Sequence, residues 1–193
     1  MVEHARKLVT IEEWLALPND DRAELIEGEF INRALPSVDH GATQRRIAQL
    51  LYPFDRKGGG DGGPPGGWWI VSEVPVVYEG RPNGFIHDLA GWRRSRHPDR
   101  PRGKRMIVKP DWVCEILSSN RQHDLTTKKW VLHEHRIQHL WMVDVDNEVL
   151  SVLRWAEKGY IAIADVTPAQ RARLEPFESI ELDMAVLFGG DPD

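Results

Sequence analysis

Apolar positions along this chain follow two periods, and the period changes where the elements change. Near the start, Ile11, Trp14, Leu15 and Leu17 recur at helical spacing. Thr10 and Glu13 form a capping-box pair ahead of them and Pro18 closes the run, so a short helix is predicted. Glu24-Leu25-Ile26-Glu27-Gly28-Glu29-Phe30-Ile31 sets apolar pairs on either side of a Glu-Gly step and reads as a hairpin. Over about 38–54, Ile47, Leu50, Leu51 and Phe54 return to helical spacing, which predicts a long helix. The next segment, 58–67, holds seven glycines and two prolines and reads as a flexible connector. No Gly-Lys-Ser/Thr follows it, so it is not a phosphate cradle. Strands are predicted over 68–73, 74–78, 85–92 and 111–117, then a helix over about 125–135, then strands over 140–144, 149–155 and 160–164. No internal repeat is visible. The plan is α+β, a mixed sheet flanked by helices.

The composition fits one soluble domain spanning 1–193: 41% hydrophobic and 28% charged residues. The first thirteen residues carry charges throughout and lack the apolar core of a secretory signal. No apolar run approaches the roughly 20 residues that span a bilayer. A single cysteine, Cys114, rules out an internal disulfide, fits a reducing cytoplasm and is expected to be a buried, inert thiol. The net charge of −5 is uneven: residues 144–193 hold 11 acidic and 4 basic side chains. Between 93 and 109, Arg93, Arg94, Arg96, Arg100, Arg102, Lys104, Arg105 and Lys109 face only Asp99. Taken alone this is a solvated loop. Beside a catalytic site it could follow a phosphate backbone, with Arg93, Arg94 and Arg96 as the candidate contacts.

Candidate chemistry lies in the strands. Pro110-Asp111-Trp112-Val113-Cys114-Glu115-Ile116-Leu117-Ser118 buries Glu115 at mid-strand, and Asp88 stands in the middle of another apolar run. Buried carboxylates are costly unless a cation or hydrogen-bond donor meets them. Asp88 and Glu115 would supply hard oxygen ligands to Mg²⁺ or Mn²⁺ from adjacent strands, and the carbonyl of Ile116 could add another. Lys128, in the first turn of the following helix, would orient water or neutralise phosphate, with the positive helix end aiding it. A second reading stands beside this one: Glu115 and Lys128 as an ion pair tying strand to helix. Asp124 suits the cap of that helix better than a metal. Glu24, Glu73 and His40 could join the site, although a surface position is favoured for each acid and a capping or surface role for His40. His133, His135 and His139 do not share one helical face or fit the H-E-x-x-H spacing, which argues against zinc.

The ordered set of these segments resembles the Uma-two type restriction endonuclease family, built on the PD-(D/E)XK nuclease core. The resemblance covers nearly the whole chain: Glu12 to Pro18, Glu24 to Glu29, Pro36-Ser37 with His40, Trp68-Trp69 with Glu73, Asp88 to Arg94, Pro110 to Ser118, Asp124, Lys128 and Leu140 to Asp144. It implies metal-binding acids at Asp88 and Glu115, a catalytic lysine at Lys128, a DNA substrate and a homodimer. Two departures stand out. Leu117 takes the place where the parent motif keeps lysine, consistent with a lysine that has moved to the helix. His87 replaces the usual proline before the first aspartate, and simple alternation turns it to the face opposite Asp88, where it would alter packing more than chemistry. The expectation is a cytoplasmic, metal-dependent DNA endonuclease. Its rival is a catalytically silent binding or regulatory module on the same fold.

Overall fold

A computed structural model describes residues 8–18, 22–33, 35–58, 65–117 and 124–191, with the backbone alone at 124 and 125. Helix α1 (Ile11–Leu15) begins at the expected capping box, where Thr10 and Glu13 each accept the other's amide hydrogen. It buries Trp14, whose indole N–H donates to the Ala23 carbonyl at 2.7 Å. Strands β1 (Ala23–Ile26) and β2 (Glu29–Asn32) form the predicted hairpin, with Glu27 and Gly28 at positive φ in its turn. Helix α2 (Val38–Leu51) is capped by Ser37. Most of the predicted connector, 59–64, lies outside the described residues.

Strand β3 (Trp68–Tyr78) is one strand where two were expected, and it pairs antiparallel with β4 (Asn83–Arg93) along its whole length. Glu73 sits in its middle at φ +49°, and the ladder steps over it, from Ser72 opposite Leu89 to Val74 opposite His87. A non-glycine residue in that conformation costs about 1–3 kcal/mol and persists only where its surroundings hold it. Side-chain alternation slips here in both strands. Trp69 and Val71 share a hydrophobic cluster with Val74, Val76 and Tyr78, and Phe85 shares it with Ala90 and Trp92. A strict period of two would put the members of each set on opposite faces.

The free edge of β4 is divided between two strands. Leu25 of β1 pairs with Gly84 near its start, and β5 (Trp112–Ile116) pairs with Leu89, Ala90 and Gly91 near its end. From Phe85 to His87, β4 therefore has no strand partner on that side among the described residues. A single π-helical turn (Asp124–Lys128) then leads into α3 (Lys129–Glu134). The predicted helix over about 125–135 is present without a break, with the difference that its first turn is π-helical and Lys128 stands where that turn joins α3.

Strand β6 (His139–Asp144) lies parallel to β5, and β7 (Val149–Ala156) and β8 (Gly159–Val166) extend the sheet antiparallel to eight strands. The C-terminal β9 (Arg171–Ala172), β10 (Leu182–Asp183) and α4 (Met184–Leu187) carry too little periodicity to be legible in the sequence. Their Leu182, Met184 and Leu187, with Phe177, pack on Ile47 and Leu51 of α2 and on Trp112 and Trp141 of the sheet. Each such burial stabilises by roughly 1.5–3 kcal/mol. Cys114 is buried as expected, which pushes its thiol pKa up. The architecture is α+β, a mixed sheet with flanking helices. No helix among the described residues is long and apolar enough to cross a membrane.

Candidate active site

Side chains, not a strand, fill the open stretch of β4. The Ile86 amide donates to Glu24 Oε1 at 2.8 Å, and the Ile116 amide donates to Asp88 Oδ2 at 2.7 Å. Each carboxylate thus takes the place of a missing ladder acceptor. That gives the acids a reason to be inside: Glu24, Asp88 and Glu115 are 3%, 1% and 3% exposed. For Glu24 this corrects the expected surface position.

Lys128 is buried, with its Nζ 3.0 Å from Glu24 Oε1 and 3.2 Å from Glu115 Oε2. The other Glu115 oxygen lies 2.5 Å from His87 Nδ1, and His87 Nε2 lies 2.7 Å from the Tyr78 hydroxyl. Burial by itself would raise the Glu115 pKa, but Lys128, His87 and Arg33 outweigh it and lower it to about 2. Burial and the nearby Glu115 charge push the Tyr78 phenol up, so it stays protonated. The ionised Glu115 carboxylate can only accept, which assigns the His87 Nδ1–H as its donor. This overturns the expected packing role of His87: the slip at Asp88 turns its ring onto the Glu115 face, in contact with Tyr78 and Phe85.

The same slip sends Asp88 the other way, toward α2. His40 Nε2 lies 3.1 Å from Asp88 Oδ1, and Gln44 Nε2 donates to Glu73 Oε1 at 3.0 Å and to the Asp88 carbonyl at 2.7 Å. His40 is buried, which corrects its expected surface or capping role. Its ring nitrogen and the carboxylate oxygens of Glu73 and Asp88 all lie within 4.8 Å of one another. Glu115 is not in that group. Asp88 and Glu115 thus meet at one gap from opposite faces of the sheet, with Lys128 on the Glu115 side.

Arg33 joins the two sides. Its guanidinium lies 2.6 Å from Asp88 Oδ1 and 3.1 Å from Glu73 Oε2, and its Nε is 3.8 Å from Glu24 Oε1. Burial would lower its pKa, yet the Asp88, Glu24, Glu115 and Glu73 carboxylates outweigh it and raise it. Arg22 reaches the same Glu73 oxygen at 3.2 Å. Sequence reasoning missed Arg33, which follows β2 outside any motif or period. The available signal was an excess of acids in apolar strands, more than Lys128 alone can neutralise.

A sheet that opens to collect buried acids and a lysine agrees with the family comparison, in which residues 11–186 match Uma2, described as putative restriction endonucleases. The chain belongs to the Uma2 family. Among solved structures, that of a putative nuclease belonging to DUF820 from Anabaena variabilis is similar, with a TM-score of 0.70 and 23% identity. The similarity covers 93% of this chain and 97% of that one, and it is a likeness of fold. Among curated proteins no relative matches.

In this Uma2 chain the arginines expected to meet nucleic acid are already engaged. The Arg93 guanidinium lies 4.5 Å from the centre of the Trp68 ring and that of Arg94 3.4 Å from Trp69, while Arg96 Nε donates to Asp111 at 2.8 Å. The members of the basic loop nearer the site are Lys104 and Arg105. With Trp14, Arg22 and Glu73 they line a cavity of about 210 Å³. The Asp124 side chain, expected as a cap, lies outside the described residues. For a hard divalent cation the donor set fits, since carboxylate oxygens of the buried Asp88 and the more exposed Glu73 converge with the His40 ring nitrogen. Four carboxylates (Glu24, Glu73, Asp88 and Glu115) nevertheless already face three cations, Arg22, Arg33 and Lys128.

Proposed function

We propose that this Uma2-family protein is a divalent-metal-dependent endonuclease that cuts DNA, working in the cytoplasm as a homodimer. The observation that supports the reading is that, at one gap in the sheet, Lys128 pairs with Glu115 while Asp88 accepts from the amide of the next residue, Ile116. Mg²⁺ or Mn²⁺ would be held by Asp88, with Glu73 and His40 beside it, and by Glu115 and the Ile116 carbonyl. The Ile116 amide points at Asp88, and in an extended strand the carbonyl of the same residue faces the same edge. Such an ion, when bound, lowers the pKa of coordinated water and offsets charge on phosphoryl oxygens.

The chain's own residues do the rest. Lys128 fixes the Glu115 carboxylate and brings a positive charge to where the scissile phosphate would lie. His87, itself held by Tyr78, fixes the second Glu115 oxygen, so the carboxylate cannot rotate away. Lys104 and Arg105 extend positive charge along the approach to Glu73, and Arg93, Arg94 and Arg96 add to the attraction for the phosphate backbone. The homodimer follows from the need to reach two strands of a duplex, and the cytoplasm from a single reduced cysteine.

One observation favours the silent-module reading: each oxygen of Asp88 and of Glu115 already has a partner within the protein. Cleavage of supercoiled plasmid, duplex oligonucleotides and RNA with Mg²⁺, Mn²⁺ or EDTA separates the two. The endonuclease reading expects metal-dependent nicking that Asp88→Asn and Lys128→Ala abolish. Full activity in those variants would move the chemistry away from these residues, and DNA binding without cleavage under every metal condition leaves the silent module.

A further inference from the structure

We infer that Arg33 occupies the cation position of this site, and that a divalent ion enters by exchange with its guanidinium. The inference rests on the metal-dependent reading above and concerns how the site is kept when no ion is bound. Two of the three groups whose ligand atoms lie within 4.8 Å of one another, Asp88 and Glu73, are bridged by this one guanidinium. Its planar fork gives each carboxylate a charge-assisted hydrogen bond, as a metal would give each a coordinate bond. The side chain is 12% exposed, so water does little to screen it. A second cation among the same oxygens would face Arg33 at close range in a medium of low dielectric, and the two exclude each other.

The alternative is that Arg33 only ties the β1–β2 hairpin to the sheet. Both views expect an Arg33 substitution to weaken the protein without metal, since removing one partner leaves buried carboxylates uncompensated. They differ in the response to metal. If Arg33 holds the ion's place, its removal exposes a site of higher negative charge that a divalent ion fills. If it is a tether, metal affinity is unchanged.

Calorimetric titration with Mn²⁺, together with melting curves with and without Mn²⁺, reads this without any assay of cleavage. Arg33→Met should bind Mn²⁺ at least tenfold more tightly than the wild type and melt lower without metal. Its melting temperature should also rise further on adding Mn²⁺. Arg33→Lys keeps a charge but loses the fork and should fall between the two, and it serves if the methionine variant folds poorly. Equal or weaker Mn²⁺ binding in both variants, with wild-type cleavage intact, overturns the Arg33 inference and leaves the endonuclease reading standing. Absence of a Mn²⁺ response in all three proteins overturns both.

Discussion

Glu24 and Glu115 reach Lys128 from strands that are not paired with each other, so one ammonium is shared by two buried acids. Lys128→Met removes the charge that both share and should cost about 3–5 kcal/mol, as for other broken buried pairs. Glu115→Gln leaves Lys128 with Glu24 and keeps an acceptor for His87, so its cost should be nearer 1–2 kcal/mol. Urea denaturation ranks them, and a glutamine variant weaker than the methionine variant would refute the shared-lysine account. His139 gives a pH dependence. Burial first, then Arg93 and Arg154, outweigh the pull of Asp111 and lower its pKa to about 4. The unfolded chain takes up that proton near the ordinary value of about 6.5. The folded pKa is the lower one, so this contribution is fully present above about pH 6.5 and lost as pH falls toward 4. His139→Gln should flatten stability across that window. The Glu115 contribution, present above its unfolded value of about 4.3 and lost toward 2, should persist through it.

At the scale of elements, local signals were legible in the sequence and the faces were not. The capping box at Thr10–Glu13, the Glu27-Gly28 turn and the apolar spacing of α2 act over a few residues, and each element formed where its signal stood. The placement of Asp88 relative to Glu115 depended on counting alternation along β4, and a slip of one residue exchanges the faces. Nothing near Glu73 announces a positive φ, because the conformation is held by partners distant in sequence: Arg22, Arg33 and Gln44. Asp88, Glu115 and Lys128 were legible as acids and a cation in apolar settings, whereas the burial of Glu24, the presence of Arg33 and the chemical role of His87 were not. Packing of the hairpin region turns on Gly84, where an added Cβ would fall 2.4 Å from the Trp14 ring. Gly84→Ala should cost about 1–3 kcal/mol through overpacking, with a matching change in the near-ultraviolet signal of Trp14. An unperturbed melting curve would show that the ring has room to move.

Across the whole molecule, charge is divided. The C-terminal residues 144–193 are strongly acidic, and the positive charge is concentrated between 93 and 109. Arg93, Arg94 and Arg96 are held by Trp68, Trp69 and Asp111 at the far end of β4, whereas Lys104 and Arg105, the latter against Trp14 and the Leu15 carbonyl, lie beside Glu73, so the two sets should differ in DNA binding by their distance from the site. The slope of log affinity against log salt should flatten by about 0.9 for each duplex phosphate that the protein no longer neutralises. Lys104→Ala with Arg105→Ala should flatten it more than the triple change at Arg93, Arg94 and Arg96. The reverse order would move the binding track to the far end of β4.

The β1–β2 hairpin meets the rest of the sheet through one registered pair, Leu25 with Gly84, whereas β3 and β4 are matched along their full length. Its other ties to the sheet are side-chain bonds of Glu24 and Arg33, the Glu27 amide on Asn83 and the Gly28 amide on the Pro82 carbonyl, and we expect this set to give way before the full-length β3–β4 ladder does. When it swings out it carries Glu24 away from Lys128 and draws on Arg33, so the acid cluster comes apart while the aromatic core around Trp112, Trp141 and Phe177 stays closed. Hydrogen exchange should therefore find the β1 amides less protected than those of β6. Equal protection would mean that hairpin and sheet open as one. A site assembled by the docking of a hairpin exists only for the fraction of time that the hairpin is docked, which makes its opening equilibrium an upper limit on how much of the protein is competent at any moment.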